Sequence, residues 1–501
     1  MLRALDNLLN KITMYQLVLW LLRILAGISI ALAVFGVIGV SAKGLFISLG
    51  LLSVTCYLAN LIFSRIWRVP TNTESYAITL LILFFILPPV TTEIRAIGVV
   101  LAGIIAMASK FMFATNGKHI FNPAAIAPVV LGMLGLMHAN WWVGSSVLWP
   151  LTLIMGLLVV RKIRRFSLVL TFAAVSHIVF AITALQQGTN VLEALQLAVI
   201  SSPLIFLGTI MLTEPATMPA RRQQQIIFGA LVGLLYASSL DIGPLHIYPE
   251  TALIIGNLYA FAVNPRYRLR LKLKEIQHVS DRVANYVFTP DRIPAFQPGQ
   301  YMEYTLDHEK QDSRGNRRTF SIASSPTENT IQMGVKFYEP SSRFKQALRV
   351  MKPGDTMYAG QIAGDFTMPA NKSEKLVFIA GGIGITPFRS MLKYLLDSGE
   401  TRDIIMIYAV SDPSEVAYAD ILAAAERNGI KVIGLLTSGV SAQDWQGSTG
   451  TLDAAFISEK IPDYKNRTIY ISGPNAMVQN TESILRGMSA KKIKTDYFTG
   501  Y

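Results

Sequence analysis

Two hydrophobic rhythms divide this chain. Up to about residue 265 the apolar residues come in long runs; beyond it they come in short strand-length runs broken by prolines, glycines and charges. Ten apolar segments can be counted in the first part, at roughly 17–40, 44–63, 76–89, 95–113, 121–137, 146–162, 165–185, 194–212, 225–240 and 250–264. A full crossing of a bilayer needs about twenty residues, so the segments nearer fifteen are expected to be tilted or broken helices. From 267 to 372, short strands with frequent turns predict a small barrel. From 373 to 501, strands near 376–380, 404–410, 431–436 and 468–471 alternate with helical stretches, the pattern of an α/β nucleotide-binding domain. The expected fold class is thus a multi-pass α-helical membrane domain over 1–266, an antiparallel β-barrel, and an α/β domain.

Composition sharpens this division. Of 501 residues, 51% are hydrophobic and 15% charged, and the mean hydropathy of +0.41 is too apolar for a soluble chain of this size. The net charge of +13 does not point to nucleic acid. The basic residues Arg65 and Arg68, Lys110 and Lys118, Arg161, Lys162, Arg164 and Arg165, then Arg221 and Arg222 fall in every second loop, while the opposite loops carry only Lys43 and Arg95. That is the positive-inside distribution, and it places both termini and everything after Asn264 in the cytoplasm of a cell whose inner membrane holds the spans. The single cysteine, Cys56, excludes internal disulfides and a cysteine-ligated iron–sulfur cluster.

Ten spans divide into five and five, and an odd number per half inverts one half relative to the other. Pro89, Thr91, Arg95 and Gly103 recur 126 residues later as Pro215, Thr217, Arg221 and Gly229. The segment Gly117-Lys-His119-Ile-Phe121 is echoed by Gly243-Pro-Leu-His246-Ile-Tyr248. Such an inverted repeat predicts proline-broken helix ends where a polar or anionic group could be held, around Asn122-Pro-Ala-Ala125 and Glu214-Pro-Ala-Thr217. The plainer readings are that His119 and His246 only bond helix ends, that Thr217 satisfies backbone freed by its prolines, and that Trp141 and Trp142 form an interfacial aromatic belt.

The segments His119-Ile-Phe-Asn-Pro-Ala-Ala125, Leu87-Pro-Pro89 and Leu212-Thr-Glu-Pro-Ala-Thr-Met-Pro219 resemble the NqrB/RnfD family. Its members are membrane components of the sodium-translocating NADH:quinone oxidoreductase and of the Rnf electron-transport complex. The resemblance covers about residues 15–265. It implies flavin, usually FMN on a threonine of a Gly-Ala-Thr segment. No Gly-Ala-Thr occurs here, so the expectation is a second, non-covalent flavin, with Asn122 and Thr217 as the residues nearest to it.

The run Pro265-Arg-Tyr-Arg-Leu-Arg-Leu-Lys-Leu-Lys-Glu275 alternates basic and apolar residues and reads as a solvated strand edge beside an anionic leaflet. Beyond it, Arg318-Thr-Phe-Ser-Ile-Ala-Ser324 reads as a strand with Arg318 and Phe320 on one face. An arginine fork can hold a pyrophosphate while a ring packs on a flat heterocycle. Ser341-Ser342 precedes a helical stretch; alone it is a plain N-cap, and beside Arg318 it reads as a phosphate-holding helix start. A buried strand then runs into Gly381-Gly-Ile-Gly-Ile-Thr-Pro387 and a helix, the context a dinucleotide-binding loop requires. Ser472-Gly-Pro-Asn-Ala-Met477 closes a later strand.

These motifs resemble the ferredoxin–NADP⁺ reductase superfamily over about residues 268–501. Its flavin motif matches at Arg318, Phe320, Ser321 and Ser324. Its glycine loop matches at Gly381, Gly382, Gly384 and Pro387, with Thr386 within it, and its Cys-Gly-Pro-x-x-Met at Gly473, Pro474 and Met477. Ser472 stands where the family has cysteine, Asp496 where it has glutamate, and Tyr501 is the terminal aromatic. The resemblance implies FAD on the barrel, NADH or NADPH on the α/β domain, and Ser472, Asp496 and Tyr501 at the site of hydride transfer. With no lysine or arginine from 408 to 426, and with Asp412 and Glu415 there, NADH is expected over NADPH.

The function expected is a membrane flavoprotein oxidoreductase. Electrons from a nicotinamide nucleotide would pass through the membrane half to a quinone or an extracytoplasmic redox protein. A haem-bearing alternative needs paired axial histidines, and no two of His119, His138, His177, His246, His278 and His308 share a span. A redox-driven or redox-sensing ion transporter, and a cytoplasmic reductase with a mere membrane anchor, are the other readings.

Overall fold

The computed structural model describes residues 12–67, 73–115, 118–238, 241–242, 245–264, 269–280, 282–308, 316–437 and 445–497, with Leu5 and Leu9. The chain forms two units, Met1–Arg266 and Tyr267–Tyr501.

Each of the ten apolar segments is helical: α1 (Met14–Val34), α2 (Ala42–Trp67), α3 (Thr73–Ile86), α4 (Glu93–Met112), α5 (Pro123–Met133), α6 (Trp149–Ile163), α7 (Phe166–Gln186), α8 (Val191–Ile200, then Leu204–Met211), α9 (Arg222–Ser238) and α10 (Pro249–Val263). By length and composition, among the described residues only α1, α2, α4 and α7 could each cross a membrane; α8, bent by 60° at Ser201-Ser-Pro203, would make a fifth. Ten spans were expected; the ten apolar segments form helices, but among the described residues only four or five are long and apolar enough to cross.

Local chemistry sets the helix starts. Thr13 and Gln16 form a reciprocal capping box at α1. Asn122 caps α5, with proline supplying the preset first residue. The packing repeats as the sequence does: α2 packs on α3 and α4, and α4 on α5; α7 packs on α8 and α9, and α9 on α10. A two-residue β-hairpin precedes α5 at 114–119, and another precedes α10 at 241–246. The apolar walls of these helices form one continuous core centred on residues such as Phe84, Phe85, Phe206 and Phe228.

In the second unit, six antiparallel strands come first: β1 (Leu269–Ser280), β2 (Val283–Pro290), β3 (Tyr301–Thr305), β4 (Arg317–Ser321), β5 (Ile331–Lys336) and β6 (Thr356–Ala363), in the order β4-β3-β6-β1-β2-β5. The bond from Ala323 N–H to Gln332 C=O (2.9 Å) joins the two end strands and closes the sheet. The basic and apolar alternation of 269–274 was expected at an edge. It lies instead on β1, paired on both sides, with Leu269, Leu271 and Leu273 in the barrel core and Arg270, Lys272 and Lys274 outside. An interior strand with one wet face gives the same period of two.

The second sheet is wholly parallel: β7 (Leu376–Gly381), β8 (Ile404–Val410), β9 (Lys431–Leu436), β10 (Ser448–Thr449), β11 (Thr468–Gly473) and β12 (Ile493–Tyr497), ordered β10-β9-β8-β7-β11-β12. The chain moves outward from β7 to β10, then crosses back to β11 on the other side of β7. Such a reversal opens a crevice at the carboxyl ends of the two strands, where α/β folds bind ligands.

Candidate functional site

Both sequence motifs of the reductase unit that end a parallel strand lie at that reversal. After β7, Gly382–Ile385 makes a tight turn into α12 (Thr386–Ser398), with Pro387 in its first turn. Gly382 has φ +51° with open space beside it. A Cβ on Gly384 would lie 2.4 Å from the Ser472 carbonyl oxygen and 2.5 Å from Gly473 Cα. Only glycine lets this turn lie flat on the end of β11. Thr386 donates to the Ile383 carbonyl at 3.1 Å. On the other side, Gly473 ends β11, Pro474 precedes α13 (Asn475–Gly487), and a Cβ on Gly381 would meet the Met477 sulfur at 2.5 Å.

Three of the expected residues converge. Ser472 and Asp496 are register partners on β11 and β12. Asp496 is also hydrogen-bonded by Ser321, the last residue of β4. Burial pushes the Asp496 carboxyl up to about 6, and the Ser321 hydroxyl acts against that rise. The Ser472 hydroxyl is fully buried without a hydrogen-bond partner among the described residues, as is the Asn475 side-chain oxygen in the same motif. Buried polar groups are nearly always bonded, so these two are open positions for a ligand. Tyr501, the third expected catalytic residue, lies outside the described residues.

The arginine strand behaves as its alternation suggests. The Arg318 guanidinium lies 5.4 Å from the centroid of the Phe344 ring, and the Phe320 ring lies 6.0 Å from the same ring. Arg318 is buried and donates to its neighbour's carbonyl, Arg317, at 2.6 Å. Two residues that sequence reasoning missed stand around this cluster. Tyr304, in contact with Phe320, has a buried hydroxyl with no partner among the described residues. His308, edge-on to Phe344, has a buried Nε2 in the same condition. Neither sits in a motif; the pairing of β3 with β4 sets Tyr304 directly opposite Arg318, and His308 lies three residues beyond the end of β3.

Ser324 is spent structurally. Its hydroxyl accepts the Gln332 N–H at 3.1 Å, and its carbonyl accepts the Ser390 hydroxyl at 2.6 Å. Beside it, Arg389 of α12 donates to the Ala323 carbonyl at 3.1 Å and forks onto Glu328, once at 2.9 Å. This latch ties the flavin-motif strand to the helix that follows the glycine loop. Its signal in the sequence is a charge amid the apolar stripe Phe388, Met391, Leu392 and Leu395.

The Ser341-Ser342 pair caps a short helix. Ser342 accepts the Lys345 N–H at 3.3 Å as the N-cap of α11 (Arg343–Arg349), and Ser341 donates to the Tyr338 carbonyl at 2.6 Å. The two acids expected to read a ribose are also occupied: Asp412 accepts Ser414 N–H at 2.9 Å, and Glu415 is buried against Lys336.

In the helical unit, Asn122 and Thr217 do meet. Both donate to the Glu214 carboxylate, at 2.9 and 3.1 Å, and His119 Nε2 pairs with its other oxygen at 2.9 Å. Asn257 accepts the Asn122 N–H at 2.9 Å and donates to the Thr217 carbonyl at 3.2 Å. Lys110 donates to Ser75 at 2.8 and 3.0 Å. The adjoining cavity, lined by Met14, Ser75, Asn122, Ile210 and Glu214 among others, holds about 30 Å³. That is room for water and not for a flavin ring, and both expected flavin residues are already paired. A second flavin does not fit here. Thr217 serves a carboxylate and not the freed backbone. Trp141 and Trp142 form no belt: both are buried, donating to Glu250 at 2.8 Å and to the Phe84 carbonyl at 2.8 Å. The signal for Glu214 was plain, an acid inside an apolar stretch. The side chains of Lys118 and His246 and the Gly117 and Gly243-Pro244 turns lie outside the described residues.

Residues 378–483 match the oxidoreductase NAD-binding domain family. The chain is 28% identical over 174 residues to the stachydrine N-demethylase reductase subunit Stc4 of Rhizobium meliloti, covering 34% of this chain and 49% of that protein. It is 26% identical over 233 residues to the phenol hydroxylase P5 protein of Acinetobacter pittii, covering 45% and 63%. It is 27% identical over 238 residues to NADH-cytochrome b5 reductase 1 of Emericella nidulans, covering 44% and 76%. The chain thus spans about half to two thirds of the first two relatives. Among solved structures, it is similar to a ferredoxin NADP⁺ reductase from Neisseria gonorrhoeae with bound FAD and NADP, at 18% identity and a TM-score of 0.41, covering 46% of this chain and 98% of that one. The carboxyl-terminal unit is a reductase module of the FAD- and NAD(P)-binding type. The unpartnered Tyr304, His308, Ser472 and Asn475 and the flat glycine turn fit those two ligands.

Proposed function

We propose that this chain is a membrane flavoprotein oxidoreductase, in which NAD(P)H is oxidised at the carboxyl-terminal unit on the cytoplasmic face of the inner membrane. Electrons then leave by way of the helical unit to a quinone or an extracytoplasmic redox protein. The observation that carries the reading is the meeting of Ser321, Ser472 and Asp496 at the crevice of the parallel sheet. FAD, when bound, supplies a ring that takes two electrons together and releases them singly. Arg318 would hold its pyrophosphate and Phe320 would pack against it, with Tyr304 and His308 as added hydrogen-bonding groups. Gly382 and Gly384 would let the backbone approach the nucleotide. Ser472 and Asn475 would orient the nicotinamide. Asp496, with a carboxyl that titrates near neutrality, would hold and move a proton at its Ser321-bonded oxygen. NADH over NADPH now rests on Asp412 alone, since Glu415 is buried; equal kcat/KM for the two would remove it.

The repeated packing of the helical unit favours a second reading, a redox-driven ion transporter of the same electron path. The test is the full-length protein in vesicles, with quinone in the bilayer and an impermeant acceptor trapped inside, and NADH added outside. Reduction of either acceptor, lost in Glu214→Leu while NADH:ferricyanide activity stays, is the expected result. Cation uptake that accompanies it would select the transporter. NADH oxidation with neither acceptor reduced would leave only an anchored cytoplasmic reductase.

A further inference from the structure

We propose that the turn joining α6 to α7 is a binding site for a phosphate oxyanion, supplied by the headgroup of an anionic phospholipid. The inference rests on the reading of the helical unit as membrane-spanning with this turn at the cytoplasmic face.

Four cations occupy five positions here: Arg161, Lys162, Arg164 and Arg165. Lys162 is the unusual one. It lies on the buried face of α6 with Val159, Val160 and Ile163 and is 6% exposed. Its ammonium is buried and has no hydrogen-bond partner, and no carboxylate among the described residues pairs with it. The Arg165 Nε is also buried without a partner among them. Arg164 ends the helix in the left-handed conformation (φ 56°, ψ 41°), and α7 begins two residues later at Phe166.

A lysine at a membrane interface ordinarily snorkels, laying its stem on apolar surface and carrying its ammonium to water. Lys162 does not. The end of α6 could have satisfied it with free carbonyls, which attract cations, yet no carbonyl of the described residues is within bonding distance of its Nζ. A buried unpaired ammonium is costly, and three donors on one charge suit a tetrahedral oxyanion. Basic pockets between helices on the cytoplasmic side are where anionic headgroups dock. A phosphodiester brings the charge, the acceptors and acyl chains that can lie on the exposed apolar residues Leu157 and Phe166 nearby in the chain.

The test uses the full-length protein in detergent, titrated with phosphatidylglycerol or phosphatidylcholine and read by native mass spectrometry. The wild type should retain one phosphatidylglycerol about five- to tenfold more tightly than phosphatidylcholine. Lys162→Gln should abolish that preference, Lys162→Arg should keep it, and Arg165→Gln should weaken it. NADH:ferricyanide activity reports that each variant is folded. A preference unchanged in Lys162→Gln overturns the site. Displacement of the lipid by millimolar inorganic phosphate, with no preference between the lipids, overturns the headgroup as its source. Alkaline carbonate washing of membranes separates the two layers of inference. Protein released by the wash means that the membrane reading has failed, whereas protein retained without lipid preference means that only this site has.

Discussion

The buried polar groups around Glu214 in the helical unit and those around Ser472 in the reductase unit are treated in opposite ways. Around Glu214 each group is used: His119, Asn122 and Thr217 all address one carboxylate, and Asn257 ties the backbone on either side. Around Ser472 and Tyr304 the hydroxyls are buried and unused among the described residues. A closed network holds helix ends in register, because removing any member leaves another unsatisfied. An open set holds nothing internal and waits for a ligand. Motifs of similar appearance, polar residues beside proline or glycine, therefore mean different things, and the hydrogen-bond inventory is what separates them.

The strongest way to break this contrast is to open a closed network within the reductase unit. Glu328→Gln leaves the Arg389 guanidinium buried with half its partner removed, and should cost about 3–5 kcal/mol of stability. Melting of the full-length protein, followed by flavin fluorescence, checks it. Because Arg389 also holds the Ala323 carbonyl, FAD release should precede or accompany unfolding. A melting point within error of the wild type would mean that the latch does not organise the flavin strand.

Next in size is the open side. Arg318→Ala should weaken FAD by about ten- to a hundredfold, the loss of a charge-assisted contact of about 1.5–3 kcal/mol, while the apoprotein's melting point stays close to the wild type. Loss of folding with FAD affinity unchanged would make Arg318 a structural residue and not a flavin ligand. The strand and loop motifs were legible because each is local: Arg318 and Phe320 alternate on one strand, and glycines 382 and 384 mark a turn. Tyr304, His308 and Arg389 were not, since Tyr304 and His308 come to the site with the pairing of β3 and β4, Arg389 comes with the packing of α12, and nothing in their neighbours marks them. In the helical unit the ten apolar runs were legible as helices, and the two sets of five as a repeated packing. Their number as possible membrane crossings was not, because runs such as 123–133 and 249–263 are short and largely buried within the bundle.

A smaller effect is expected in the closed network of the helical unit. Glu214→Gln offers one acceptor where three donors converge, so His119 or Asn122 loses its partner, at a cost of about 1–3 kcal/mol. Asn122→Asp should be worse than Asn122→Ala, because it sets a second carboxylate against the first. If both variants melt as the wild type does, the network is not what pins these helix ends, and the cavity beside it becomes the part to study.

The smallest effect is a pH dependence, and it sits on the open side. Burial raises the folded Asp496 carboxyl from 3.8 to about 6. A raised carboxyl gives stability that is complete below the unfolded value and lost as pH climbs through the folded one. Between about pH 4 and 6 the folded chain keeps a proton that the unfolded chain has released, and above 6 it carries a buried charge. Asp496→Asn removes that charge. Its melting point should therefore gain on the wild type as pH rises from about 4 to 7, and then run parallel. In turnover, kcat for NADH:ferricyanide reduction should bend near pH 6 in the wild type and in Asp496→Glu, and lose the bend in Asp496→Asn. Ser321→Ala should shift the bend upward, since the hydroxyl bond favours the carboxylate. A bend that survives Asp496→Asn would assign the proton to another group. A stability difference without any change in turnover would leave Asp496 a buried carboxyl with no part in the chemistry.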